Sequence, residues 1–201
     1  MTLANRLGIE DAIELAHAEE RISKRAALSL YRDGTLVALE PGSFAALAAI
    51  HTQLFGELYP FVGQIRTVNL AKGGFRFASA LYLRSAIRTI ERMPQASFDQ
   101  IVEKYVEMNV AHPFREGNGR AGRIWLDHIL RAEIERTVDW SAIAREDYLL
   151  AMERSPIRDT EIKALLRGAL RDEFDSVTLL ARSIDASYAY EGYSAYRAEE
   201  L

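Results

Sequence analysis

The chain has 201 residues, 49% of them hydrophobic and 27% charged, with a formal net charge of −4. That suffices for one domain, or one domain with a short regulatory appendage, built round an ordinary core; it excludes a disordered chain. An acidic balance argues against a nucleic-acid binder, and the absence of cysteine excludes a disulfide framework and thiolate chemistry.

The first 25 residues carry scattered acids and no apolar run long enough for a signal peptide or a span. A soluble, cytoplasmic protein without a membrane partner is therefore expected. Residues 9 to 31 alternate apolar and charged positions at a helical period and end before the turn signal "RDG". Pro41 and Ser43 open a second helix with Phe44, Leu47, His51, Leu54 and Leu58 on one face. Two extended runs, "QIRTVNL" and "FRFA", flank Lys72, Gly73 and Gly74 and read as a small β-hairpin. A helix follows through Leu81 to Met93. Ser97 and Gln100 form a capping box that starts another, with Phe98, Ile101, Val102, Tyr105 and Val106 inward; Pro113 ends it. A helix restarts in "RAGRIWLDHILRAEI", with Ala121, Ile124, Trp125, His128 and Ile129 on one face. Further helices are expected around "DYLLAMER", "DTEIKALLRGAL" and "SVTLLARSIDASYAYEG". The whole reads as an all-α domain with one hairpin. His51 and His128 read as core or helix-face residues.

The stretch "AHPFREGNGRAG" interrupts two helices with a proline break and Gly-Asn-Gly. Glycines let a backbone approach a ligand closely, and the next helix presents free N–H groups and the positive end of its dipole, which together make an anion site. Arg120 and Arg123 fall near that same end, where a cation is unfavourable unless a strongly negative ligand accompanies it. Triphosphate is the obvious candidate. Glu116 would oppose it unless a cation stands between; Mg²⁺, often held by one carboxylate plus substrate phosphates, fits. His112 titrates near neutrality and suits removal of a proton from a hydroxyl. Taken singly, each residue is more often ordinary. Together they describe phosphoryl or nucleotidyl transfer.

These residues resemble the signature of the Fic family, H-x-F-x-[DE]-G-N-G-R-x-x-R, which here runs His112, Phe114, Glu116, Gly117, Asn118, Gly119, Arg120, Arg123 without departure. "LYPFVGQIR" resembles the family's upstream element, and the likeness spans residues 40 to 193. The resemblance implies a compact helical bundle with a target-docking flap at 65 to 78, here Lys72, Gly73, Gly74, Phe75 and Arg76. It implies transfer of AMP from ATP to a Ser, Thr or Tyr hydroxyl of a target protein, with release of pyrophosphate. On that reading His112 deprotonates the hydroxyl and Glu116 holds Mg²⁺. Gly117, Asn118 and Gly119 cradle the α- and β-phosphates, Arg120 assists the β-phosphate, Arg123 anchors the γ-phosphate, and Phe114 fixes the loop from the core. Phe75 and Phe77 are expected to pack into the core. A free hairpin edge could also pair with an extended target segment.

Ser187 and Glu191 share a helix face, with Gly192 as a stop. Alone, this reads as a solvated terminal helix. Beside the Fic resemblance, "SYAYEG" matches the family's inhibitory motif [ST]-x-x-x-E-[GN]. The implication is a core at 1–175 and an inhibitory helix and tail at 176–201, with Glu191 paired to Arg123 and Ser187 near Asn118. Tyr188, Tyr190 and Tyr193 read as exposed, with Tyr188 a candidate for self-modification. Release of the latch through a homo-oligomer, AMP removal, another nucleotide donor and a non-catalytic nucleotide-sensing module all stay open.

Overall fold

A computed structural model describes residues 2–72, 74–172 and 176–201. Eight α-helices are present among the described residues: α1 (Ala12–Arg32), α2 (Phe44–Phe55), α3 (Leu83–Glu91), α4 (Phe98–Ala111), α5 (Asn118–Ile134), α6 (Arg145–Arg154), α7 (Thr160–Gly168) and α8 (Val177–Ala189). Their starts are set by side chains. The Asp11 carboxylate accepts the Ile13 and Glu14 N–H groups, so α1 begins at Ala12 and not at residue 9. Ser43 and Ser97 cap α2 and α4 in the same way, and the Gln100 amide oxygen reaches back to the Ala96 N–H.

Helix α5 lies at the centre. Ala121, Trp125, Leu126, Ile129 and Leu130 are buried, and the helix is flanked by α2, α4 and α8. Burying such a face contributes about 1.5–3 kcal/mol per large side chain relative to leaving it in water. The Trp125 indole N–H donates to the Ser43 carbonyl, which ties α5 to the start of α2. Helix α8 returns across α1 and α5. The expected boundary after residue 175 falls on residues outside those described.

The expected hairpin is present but short: β1 (Ala71–Lys72) pairs antiparallel with β2 (Phe75–Arg76), in register Ala71 to Arg76 and Lys72 to Phe75. The preceding segment does not extend the ladder because it is tied elsewhere. The Arg66 N–H donates to the Pro113 carbonyl, and its guanidinium takes the Val68 carbonyl. Gly73, at the expected tip, lies outside the described residues. A second ladder, β3 (Thr137–Val138) with β4 (Leu170–Arg171), joins two distant segments and is present beside the one expected hairpin. It is too short to leave a periodic signal. Asp127, on α5, fixes it by accepting from the Thr137 hydroxyl and the Val138 N–H.

Candidate active site

The break expected at Pro113 is built round an unusual backbone. His112 caps α4 in the left-handed region, at φ 50° and ψ 62°, a conformation that L-residues other than glycine seldom adopt. Buried Arg66 over-determines it, with Nε donating to the His112 carbonyl (2.7 Å) and Nη2 to those of Ala78 (2.6 Å) and Ala111 (3.1 Å). The imidazole stacks on Phe77 at 3.7 Å, so Phe77 packs on the site and not into the core, and Phe75 meets it edge-on. Nδ1 faces the Asn109 carbonyl at 3.3 Å. A carbonyl only accepts, so Nδ1 carries the proton and Nε2 keeps a free lone pair. Burial drives the imidazole pKa down to about 4, with the charges of Arg66 and Lys72 adding to the fall. It is neutral at pH 7.

The loop after Pro113 is held from beneath. Phe114 is fully buried, stacked on His51 at 3.9 Å and on Phe44 at 5.9 Å. Asn118 donates to the Phe114 carbonyl and accepts its N–H, both at 2.8 Å. Its side chain therefore braces the loop from within. Gly117 sits at φ 75°, and a Cβ there would overlap the Phe55 ring. Helix α5 begins one residue later, so the expected cradle of Gly117, Asn118 and Gly119 is a helix N-terminus, whose first N–H groups lack helical acceptors. The Glu116 side chain, 42% exposed, accepts the Gly117 N–H and the Arg120 guanidinium through Oε1.

A carboxylate already occupies that end of α5. Glu191 accepts from Arg123 Nη2 through Oε1 at 2.7 Å and meets Arg120 Nε through Oε2 at 2.8 Å. A methyl group on Gly119 would strike its Oε1. Burial works to raise the Glu191 carboxyl, but Arg120 and Arg123 outweigh it and hold it below the usual carboxylate range. The expected pairing of Glu191 with Arg123 is thus a contact in the structure. The expected position of Ser187 near Asn118 is corrected: its hydroxyl and carbonyl both accept from Arg123, at 2.7 and 2.8 Å.

Arg120 differs most from expectation. It is 0% exposed, with its guanidinium against the rings of Phe55, Tyr188 and Tyr193. Its contacts to Glu19 (2.6 Å) and Glu191 are ionic, without a well-directed hydrogen bond, and its contact to Glu116 is 3.3 Å. The tyrosines are not exposed either. Tyr188 is 1% exposed, Tyr190 is buried with its hydroxyl on the Trp140 and Ile143 carbonyls, and Tyr193 donates to Glu19. Burial removes Tyr188 as an acceptor in this arrangement. Lys72, Gly74 and Arg76 are exposed on the hairpin, with Phe75 half-buried.

Three contributors were not assigned from sequence. His51 accepts the Gly63 N–H at Nδ1 (3.0 Å) and donates from Nε2 to the Glu116 carbonyl (2.9 Å), which makes it a strut under the loop. Arg66 shapes His112. Glu19 of α1 holds Arg120. Glu19 stands on the stripe of Leu15, Ala27 and Leu30, and an acid on an apolar stripe was the available signal. His128 is a buried helix-face residue, as expected.

The Fic/DOC family model matches residues 41–130, which include every residue from His51 to Arg123 in this description. The "Probable protein adenylyltransferase Fic" of Salmonella typhimurium is 29% identical over 182 residues, covering 85% of this chain and 88% of that protein. The "Probable protein adenylyltransferase y4lH" of Sinorhizobium fredii is 31% identical over 168 residues, covering 76% and 82%. The chain belongs to the Fic/DOC family. The fold agrees: the crystal structure of the BepC protein from Bartonella tribocorum with bound AMPPNP superposes with a TM-score of 0.72 at 21% identity, covering 85% of this chain and 93% of that one. The Fic match ends at residue 130, so Glu191 and its helix lie beyond it, and Glu19 lies before it. No helix among the described residues is long and apolar enough to cross a membrane.

Proposed function

We propose that this chain is a protein adenylyltransferase, transferring AMP from ATP to a Ser, Thr or Tyr hydroxyl, held closed by its own C-terminal helix. The observation that carries the reading is the Glu191 carboxylate set between Arg120 and Arg123 at the start of α5. A helix N-terminus with two arginines is an anion site, and here a carboxylate takes the anion's place. The adenylyltransferase names of the relatives and the AMPPNP of the structural neighbour support ATP as that anion.

In the open state the α5 N-terminus and Arg123 bind the triphosphate. His112 Nε2 takes the proton of the acceptor hydroxyl, for which a neutral imidazole at pH 7 is the competent form. The hydroxyl oxygen bonds to the α-phosphorus, the bond from that phosphorus to the bridging oxygen breaks, and pyrophosphate leaves with the electron pair. The half-exposed Glu116 carboxylate suits Mg²⁺ held mainly by phosphates, since no group of three His, Asp or Glu side chains able to hold a metal ion occurs among the described residues. Bound there, that ion would offset phosphate charge. The exposed hairpin edge carrying Lys72, Gly74 and Arg76 offers main-chain groups to an extended target segment.

With Glu191 in place, Arg123 Nε and Nη2 are committed to Ser187 and Glu191 and are not free to hold a γ-phosphate. Helix α8 and the tail to residue 201 are therefore the inhibitory segment. Both Glu191 oxygens are engaged by arginines, which favours a latch over a water-positioning role in AMP removal. The test incubates Glu191→Gly with lysate and ATP labelled at the α- or the γ-phosphate. Protein label from the α position alone supports the reading; label from the γ position, or from neither, overturns it.

A further inference from the structure

We infer that Glu19, on the N-terminal helix, is a positioning residue for adenylyl transfer: it holds Arg120 in place when the C-terminal helix leaves. The inference rests on the adenylyltransferase reading and adds to it a residue outside the matched family segment. Glu19 is 3% exposed, and its Oε1 lies 2.6 Å from Arg120 Nη1.

The three nitrogens of Arg120 are divided among three carboxylates. Nε meets Glu191, Nη2 meets Glu116 and Nη1 meets Glu19. Two of those partners do not survive opening unchanged. Glu191 departs with the inhibitory segment. Glu116 is half-exposed and is the carboxylate suited to a cation. Only Glu19 is buried and belongs neither to the departing segment nor to the cation site.

Glu19 is itself anchored from two sides. Tyr193 donates to Oε1 at 2.8 Å and belongs to the segment that leaves. The Tyr59 hydroxyl donates to Oε2 and belongs to the body that stays, just after α2. The Phe55 ring, under the Arg120 guanidinium at 4.8 Å, also stays. After opening, Arg120 therefore keeps a counter-ion, and that counter-ion keeps a hydroxyl donor. A buried guanidinium without one would turn to the strongest remaining negative group, the Glu116 carboxylate or the nucleotide itself. The geometry at the β-phosphate, where the family resemblance puts Arg120, would then be lost while attraction for ATP remained.

The test compares Glu191→Gly with Glu191→Gly/Glu19→Gln. Gln keeps the shape and an amide oxygen for Tyr59, and removes the charge. The readouts are the transfer rate of α-label into lysate protein at saturating ATP, the Kd of ATP by calorimetry, and by NMR the N–H signal of Arg120 Nη1, the nitrogen that meets Glu19. Loss of about tenfold or more in rate, with an ATP Kd within about threefold, is the expected split for lost positioning without lost binding. Glu19→Asp should recover part of the rate. The Arg120 signal should persist in Glu191→Gly and disappear when Glu19 is also changed. An unchanged rate in the folded double variant overturns the inference, as does an Arg120 signal already lost in Glu191→Gly. If Glu191→Gly transfers no label, the adenylyltransferase reading fails, and the Arg120 signal alone decides the role of Glu19.

Discussion

Replacing Glu191 by Gln removes one charge from between two buried arginines and changes little else. Breaking a buried pair this way ordinarily costs about 3–5 kcal/mol, because a charge is left without its partner. Here the loss is smaller. The Glu191 side chain is 17% exposed, Arg120 keeps Glu19 and Glu116, and Arg123 keeps both Ser187 acceptors. About 2–3 kcal/mol is a fair expectation on the scale of such pairs. At roughly 2–4 °C per kcal/mol for a chain of this size, Tm should fall by about 4–12 °C. Calorimetry at pH 7 reads it directly. The sign of the pH dependence is fixed by the depressed carboxyl. A folded pKa below the ordinary 4.5 gives stability that is complete above that value and lost as pH falls through the folded pKa. The difference between wild type and Glu191→Gln should therefore be full at pH 6–7 and shrink below about pH 4.5. ATP should reverse the order of response, stabilising the variant more than the wild type, because phosphate restores an anion to the freed arginines. A variant that melts within 1 °C of wild type, or a gap that stays constant to pH 3.5, would refute the electrostatic account of the latch (both figures are about the size of the measuring error or the carboxylate range).

Gly117→Ala and Gly122→Ala should move Tm in opposite directions. The first adds left-handed strain and an overlap with the Phe55 ring and should destabilise by about 2–4 kcal/mol; the second meets only Tyr105 at 3.6 Å inside α5 and should stabilise by up to about 1 kcal/mol. His51 and His112 both have pKa values driven down to about 4 by burial, so the unfolded chain binds more protons and stability should fall as pH drops from about 6.5 to 4. Imidazole NMR titration checks the values, and His51→Gln should flatten the stability profile. Arg66→Met leaves four carbonyls, those of Val68, Ala78, Ala111 and His112, without their donor. It should cost about 3 kcal/mol or more and reduce transfer by the latch-open enzyme through misplaced His112, whereas Arg66→Lys, with one head group, should recover only part.

The helices and the signature were readable because their determinants are local. Ser43, Ser97 and Pro113 act on neighbours in the chain, and His112 to Arg123 span twelve positions. The Glu191 partner was readable only through a family pattern, since 68 residues separate it from Arg123. What escaped is what tertiary packing creates. Glu19 meets Arg120 from α1, Arg66 meets His112 across 46 residues, and His51 reaches Glu116 across 65. The burial of Tyr188 and Tyr190 also follows from packing. "SYAYEG" reads as a solvated helix end, whereas the return of α8 across α1 and α5 encloses Tyr188, and Tyr190 packs on Trp140 and Tyr148. The bracing role of the Asn118 side chain was not legible either, because its partner is the Phe114 backbone and becomes its neighbour only when the loop folds.

The central claim is that His112 transfers AMP once Glu191 no longer holds Arg123. Its most direct test is incorporation of α-labelled AMP from ATP·Mg²⁺ into lysate protein by wild type, Glu191→Gly and Glu191→Gly/His112→Ala. The account predicts little label with wild type, strong label with Glu191→Gly, and none above background when His112 is also removed. Label of equal strength in all three, or none with Glu191→Gly despite bound ATP, would contradict it.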